Sequence, residues 1–130
     1  MAENISKITA RADGAAIVCT DGEGGEARIS GGGPHAPEML LMAAAGCNMS
    51  IVKALAKRDG LILTKLAAAV EGTRSETAPK RFTDIHISLE VEGPGLTEEK
   101  MNKYVKIAES TCPVTQSLNS KVTVDYKIIG

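Results

Sequence analysis

The chain has 130 residues and a mass of 13.6 kDa, which suits a single domain over residues 1–130 with a core that needs no metal or disulfide staple. At 43% hydrophobic and 24% charged residues it has the composition of a folded protein, which argues against disorder. Fifteen Lys and Arg against sixteen Asp and Glu leave a net charge of −1, and the only aromatics are Phe82, Tyr104 and Tyr126, so nucleic acid is not an expected partner.

Residues 1–7 hold no apolar run, so no signal peptide is expected, and a reducing cytoplasmic setting is the default. Residues 5–11 and 15–20 read as strands around Asp13-Gly14, with Ile17, Val18 and Cys19 in the second. Residues 21–33 hold six of the thirteen glycines and read as loop, with room for a short strand at 26–30. Gly31-Gly32-Gly33 lacks the Gly-Lys-Ser/Thr ending of a phosphate loop and the spacing of a dinucleotide fingerprint, so it reads as a turn before a helix.

That helix is predicted from Pro37, with Glu38 at its positive end, to Gly60, with Lys57 and Arg58 in its last turn. Residues 39–52 carry no charge, a run of 14 that falls short of a bilayer, so a membrane is not an expected partner. Its first four turns are apolar all round. Such a helix needs cover on nearly every side, from its own domain or a second subunit.

Residues 61–74 and 82–92 read as strands joined by the polar segment 75–81; from Ile85 onward Ile87, Leu89 and Val91 alternate with polar residues. Thr97 is a candidate N-cap for a second helix with Met101, Tyr104, Val105, Ile107 and Ala108 on its apolar side. Cys112-Pro113 breaks that helix, a turn or short helix follows at 114–118, and residues 121–129 form a last strand. The order predicts an α+β fold with a mainly antiparallel sheet.

Three cysteines, Cys19, Cys47 and Cys112, are neither a secreted disulfide framework nor spaced as a zinc site, and His35 and His86 form no metal motif. No metal or other cofactor is expected. Cys47 follows Gly46 inside the uncharged helix, and Cys112 stands where a helix must end.

The blocks Pro37-Glu38-Met39-Leu40-Leu41-Met42-Ala43-Ala44-Ala45-Gly46-Cys47 and Ala108-Glu109-Ser110-Thr111-Cys112-Pro113-Val114-Thr115-Gln116-Ser117-Leu118, in this order and separated by two strands and a Gly-Pro-Gly turn, resemble the OsmC/Ohr family (osmotically inducible protein C and organic hydroperoxide resistance protein). The resemblance is strongest to its OsmC-like branch and runs from about residue 26 to the C-terminus. It implies an intertwined homodimer with long central helices, and a thiol-dependent peroxidase for organic hydroperoxides that uses no bound cofactor and is recycled by an external dithiol of lipoyl or thioredoxin type. By the same resemblance Cys47 is the peroxidatic thiol and Cys112 the resolving thiol. Glu38 and Arg28 stand at the positions of the Arg–Glu pair that organises the first cysteine, with Arg11 as the alternative arginine. Glu38 is nine residues before Cys47, where typical peroxidases of the family have ten, a rotation of about 100° around a helix.

The chemistry sets demands of its own. Thiolate attack on the O–O bond gives a sulfenic acid, which a second thiol condenses to a disulfide. Lowering a thiol pKa from ~8.5 to ~6 raises its thiolate fraction roughly 30-fold, but lost nucleophilicity removes roughly 10–20-fold of that. Placing the peroxide and stabilising the leaving oxygen must therefore supply most of the rate, tasks suited to a guanidinium. The Met-, Leu- and Ala-rich surroundings point to alkyl or lipid hydroperoxides in preference to hydrogen peroxide. The alternative on the same residues is a non-catalytic redox sensor or binder of an apolar ligand, which the shifted Glu38 favours.

Overall fold

The computed structural model describes residues 5–130, so the sequence reading at residues 1–4 lies outside the described residues. The chain divides into two compact units, Met1–Leu40 and Leu41–Gly130.

In the first unit β1 (Thr9–Asp13), β2 (Ala16–Thr20) and β3 (Glu26–Ile29) form an antiparallel sheet in that order. The first strand lies later than the expected 5–11. Asp13 still pairs with Ala16, so the turn is Gly14-Ala15, and Gly14 takes the positive φ of 61° that a two-residue hairpin asks of its first central residue. The strand core is Ala16 and Val18, buried on one face of β2, with Cys19 half-buried opposite Ala10 and Ala27. After β3 the chain turns sharply: the Ser30 amide donates to the Pro34 carbonyl and the Gly33 amide to the Ser30 carbonyl. A Cβ at Gly33 would drive into the Arg28 carbonyl oxygen, so no larger residue fits that turn without moving β3.

The helix α1 (Ala36–Arg58) begins in the first unit and continues through the boundary. Its first hydrogen bond runs from the Met39 amide to the His35 carbonyl, with Pro37 and Glu38 in the opening turn. At its end Gly60 takes φ 76°, and the Leu61 amide reaches back to the Ala56 carbonyl, a left-handed glycine stop. The buried residues of α1 are Ala44, Asn48, Val52 and Ala56, one stripe at every fourth position. The flanks of that stripe, among them Leu41, Ala45, Met49 and Ile51, are half-buried, and the opposite side is open, with Met42 53% exposed. At 23 residues α1 is also long and apolar enough, by length and composition alone, to cross a membrane.

In the second unit β4 (Lys65–Arg74), β5 (Phe82–Glu92) and β6 (Lys121–Ile128) form a sheet in that order. β5 is central and carries the core: Ile85, Ile87, Leu89 and Val91 are all buried, as their alternation predicts. β4 starts at Lys65 and not at 61. Residues 61–64 serve the exit from α1, and Thr64 is tied to β5 by its amide to the Glu92 carbonyl, 2.7 Å, and its hydroxyl to Glu92 Oε1, 2.7 Å. β4 and β5 are antiparallel, whereas β5 and β6 are parallel. Helices α2 (Glu98–Thr111) and α3 (Pro113–Gln116) fill the crossover that a parallel pair requires. Thr97 caps α2 by accepting from the Lys100 amide, and Met101, Tyr104, Val105 and Ala108 are its buried side.

Tyr104 is fully buried, and its hydroxyl donates to Asp59 Oδ2 at 2.6 Å, joining α2 to the segment that follows α1. Burial first, and then this bond, push the phenol pKa up to about 12. A phenol held above its unfolded pKa of ~10 stabilises the fold below that value, and the contribution is lost as pH rises from ~10 to about 12. Tyr104→Phe is expected to cost about 1.5–3 kcal/mol, the usual worth of a hydrogen bond to a charged group. Urea melts at pH 8 and pH 11 check this: the gap between wild type and variant should shrink at the higher pH.

Candidate functional site

α1 carries Cys47 one residue past Gly46, half-buried, and the end of α2 carries Cys112, wholly buried. The two thiols are neighbours, close enough that each shifts the ionisation of the other. Cys112 has a double local role. Its amide donates to the Ala108 carbonyl at 3.0 Å and closes α2, while its sulfur caps α3 by accepting from the Thr115 amide at 3.5 Å. Pro113 makes both possible, because it cannot continue α2 yet is suited to the first position of α3.

These bonds decide which sulfur holds charge more easily. Burial pushes the Cys47 thiol up, the hydrogen bond with Cys112 and that sulfur's charge push it further, and the Val114 amide opposes them. Burial also pushes Cys112 up, but the hydrogen bond from Cys47, together with donors on Thr115 and Val114, leaves it below its ordinary value. Of the two, Cys112 is therefore the thiol that gives up its proton more readily. A buried sulfur that already accepts an N–H is the natural acceptor of a second bond, and two sulfurs this close titrate as a pair.

Sequence reasoning named both cysteines and missed what seats them. Thr115 is buried, its amide holds the Cys112 sulfur, and its hydroxyl donates to the Cys112 carbonyl at 3.5 Å. The signal was present: a residue before proline with a threonine three positions on has the spacing of an N-cap and its N3 amide. Asn48, beside Cys47, is buried as well. Its Nδ2 donates to the Ala44 carbonyl at 3.1 Å, while its Oδ1 has no protein partner.

The other candidate residues lie in the first unit. Arg28 stands on β3 opposite Val18, and its guanidinium pairs with Asp13 Oδ2 at 3.5 Å and donates to the Gly31 carbonyl at 3.3 Å. Arg11 reaches the same carboxylate at 3.8 Å. Glu38 is exposed in the first turn of α1. His35 shares a hydrogen bond of 2.9 Å with Ser30, and His86, in the second unit, bridges Thr123 at 2.6 Å and Asp125 at 3.1 Å. Among the described residues no three His, Cys, Asp or Glu side chains are grouped to hold a metal ion.

Comparison with known proteins bears on the family and the fold. The model of the family described as OsmC-like protein matches residues 29–127. Protein YhfA of Escherichia coli K12 is 28% identical over 100 residues, 75% of each chain. Among solved structures, an OsmC-like protein from Mycoplasma pneumoniae superposes with a TM-score of 0.83 at 17% identity, covering 98% of this chain and 99% of that one. The organic hydroperoxide resistance protein OhrB of Bacillus subtilis superposes with a TM-score of 0.60 at 21% identity, covering 96% and 98%. At such identities the structural likeness speaks for the fold alone.

Proposed function

The chain belongs to the OsmC-like protein family, whose model spans residues 29–127, and from that premise we propose that it is a thiol-dependent peroxidase for organic hydroperoxides. The observation that carries the reading is the pair of contacting thiols, one half-buried on α1 and the other buried and capped by Thr115. Cys47, as thiolate, attacks the terminal peroxide oxygen. The O–O bond breaks, the alkoxide leaves and takes a proton as the alcohol, and Cys47 becomes a sulfenic acid. The Cys112 sulfur attacks the Cys47 sulfur and expels hydroxide, which leaves as water, and a disulfide forms. An external dithiol of lipoyl or thioredoxin type reduces it through a mixed disulfide.

The charge distribution suits the second step directly, because the attacking Cys112 is the sulfur that ionises more readily. The first step needs the proton moved off Cys47 and the leaving oxygen stabilised. Arg28, which pairs with Asp13, is the residue we assign to that task, with Glu38 as its partner by the family resemblance and Arg11 as the second choice. A second copy of the chain is proposed to cover the open side of α1, since one stripe of that apolar helix is buried and Met42, across from it, is 53% exposed. This chemistry suits the cytoplasm, where thiols are kept reduced.

The test is peroxide consumption by the reduced protein with excess dithiol. Many turnovers are expected, faster with cumene hydroperoxide than with hydrogen peroxide. The upward push on Cys47 favours a second reading, a sensor that is oxidised once. A yield of one equivalent per chain or less from folded, reduced protein would overturn the peroxidase in favour of the sensor.

A further inference from the structure

The two sulfurs differ in access. Cys112 is wholly buried, whereas Cys47 is half-buried on α1. Cys47 lies five positions beyond Met42, about 140° round the helix, so the side proposed for a second copy is not the side that carries the thiol. The sulfurs differ also in what holds them. The Thr115 amide donates to the Cys112 sulfur at 3.5 Å, and the Thr115 hydroxyl donates to the Cys112 carbonyl at 3.5 Å, so one buried residue grips Cys112 by side chain and backbone.

This asymmetry bears on the step after disulfide formation, and its use there rests on the reading of Cys47 and Cys112 as a redox pair. Thiol–disulfide exchange is an in-line displacement. Its rate depends on access to the sulfur attacked and on how well the other sulfur leaves. A thiolate that strikes Cys47 arrives on the side away from Cys112. One that strikes Cys112 must arrive through the packing that buries it. The leaving sulfur carries away the electron pair, so the thiol that ionises more readily leaves faster. That thiol is Cys112, with the Thr115 N–H already directed at its sulfur. Access and leaving ability therefore select Cys47 for attack together.

We propose that the external dithiol attacks Cys47 and not Cys112, and that Thr115 holds Cys112 as the leaving thiolate. The first thiolate of the dithiol bonds to the Cys47 sulfur, the Cys47–Cys112 bond breaks, and its electron pair stays on Cys112, which later takes up a proton. The second thiol of the reductant, as thiolate, attacks the reductant's own sulfur in the mixed disulfide and expels Cys47 as thiolate. The reductant leaves as a disulfide and the protein is reduced. The test needs no peroxide. Diamide closes the disulfide in the full chain, the monothiol 2-mercaptoethanol begins to open it, and acid stops the exchange before peptic mapping by mass. Early adducts on Cys47 should outnumber those on Cys112 by at least about tenfold. Thr115→Val removes a hydroxyl that eases the ionisation of Cys112. It should slow the opening by at least about twofold. In chains that also carry Cys19→Ser and Cys47→Ser, it should move the ultraviolet thiolate absorbance of Cys112 to higher pH. Thr115→Ser, which keeps the hydroxyl, should match the wild type in both. Equal adducts, or an excess on Cys112, overturn the proposal and leave the peroxidase reading intact. An unchanged rate and absorbance in Thr115→Val overturn the part given to Thr115. A chain in which diamide closes no Cys47–Cys112 bond overturns the proposal together with the resolving role of Cys112. Adducts on Cys47 in a protein that turns over no peroxide support the proposal and strike only the peroxidase, because a sensor is reset by the same exchange.

Discussion

Replacing Cys47 with serine is expected to abolish peroxide consumption, a fall of at least about a thousandfold, or roughly 4 kcal/mol of transition-state stabilisation. A hydroxyl at this position stays protonated and cannot become the soft nucleophile that the O–O bond requires. Cys112→Ser is expected to act differently. It leaves the first oxidation in place, so a sulfenic acid on Cys47 becomes trappable with dimedone, but it slows steady turnover by at least about tenfold because an external thiol must replace one already in place. The variant also tests the proton sharing between the sulfurs. Two of the influences that push Cys47 up, the bond with Cys112 and the charge on that sulfur, disappear in Cys112→Ser. Labelling of Cys47 by iodoacetamide should then begin at lower pH than in the wild type. An unchanged labelling profile means that the sulfurs do not share a proton, and an unchanged turnover rate removes Cys112 from the resolving step.

The parts of this site that were legible in the sequence are those fixed by local chemistry. The alternation at Ile85, Ile87, Leu89 and Val91 named the central strand because each is buried on one face. Thr97 announced α2, and Gly60 announced the end of α1, because caps depend on a few neighbouring residues. What the local pattern did not hold was pairing at a distance. Nothing in residues 121–128 distinguishes a strand that pairs parallel from one that pairs antiparallel; the helical crossover decides it. The ionisation order of the thiols was equally hidden. It depends on the nearness of residues 65 positions apart and on the Thr115 amide, which becomes a donor to sulfur only because Pro113 starts a new helix. The length of α1 was readable, but the narrowness of its buried stripe was not, since apolar residues surround it on all sides in sequence.

That narrow stripe supports the other large expected effect. Met42→Asp places a carboxylate on a side of α1 that is open in the single chain. In a monomer such a surface change is worth within about 0.5 kcal/mol either way. If a second copy covers that side, the carboxylate is buried without a partner, at a cost of several kcal/mol per ion, and two-fold symmetry applies the cost twice. We therefore expect the dimer dissociation constant to rise at least about a thousandfold, with thermal stability becoming dependent on protein concentration. Sedimentation velocity across nanomolar to micromolar concentrations reads the first, and melts over the same range read the second. A wild type that sediments as a monomer at micromolar concentration removes the second copy from the proposal. A dimeric variant with unchanged melting places Met42 outside the covered surface. The monomeric result requires a different partner for the side of α1 that carries Met42, because residues 39–52 hold no charge and a helix free of charge all round needs cover on the side it leaves open.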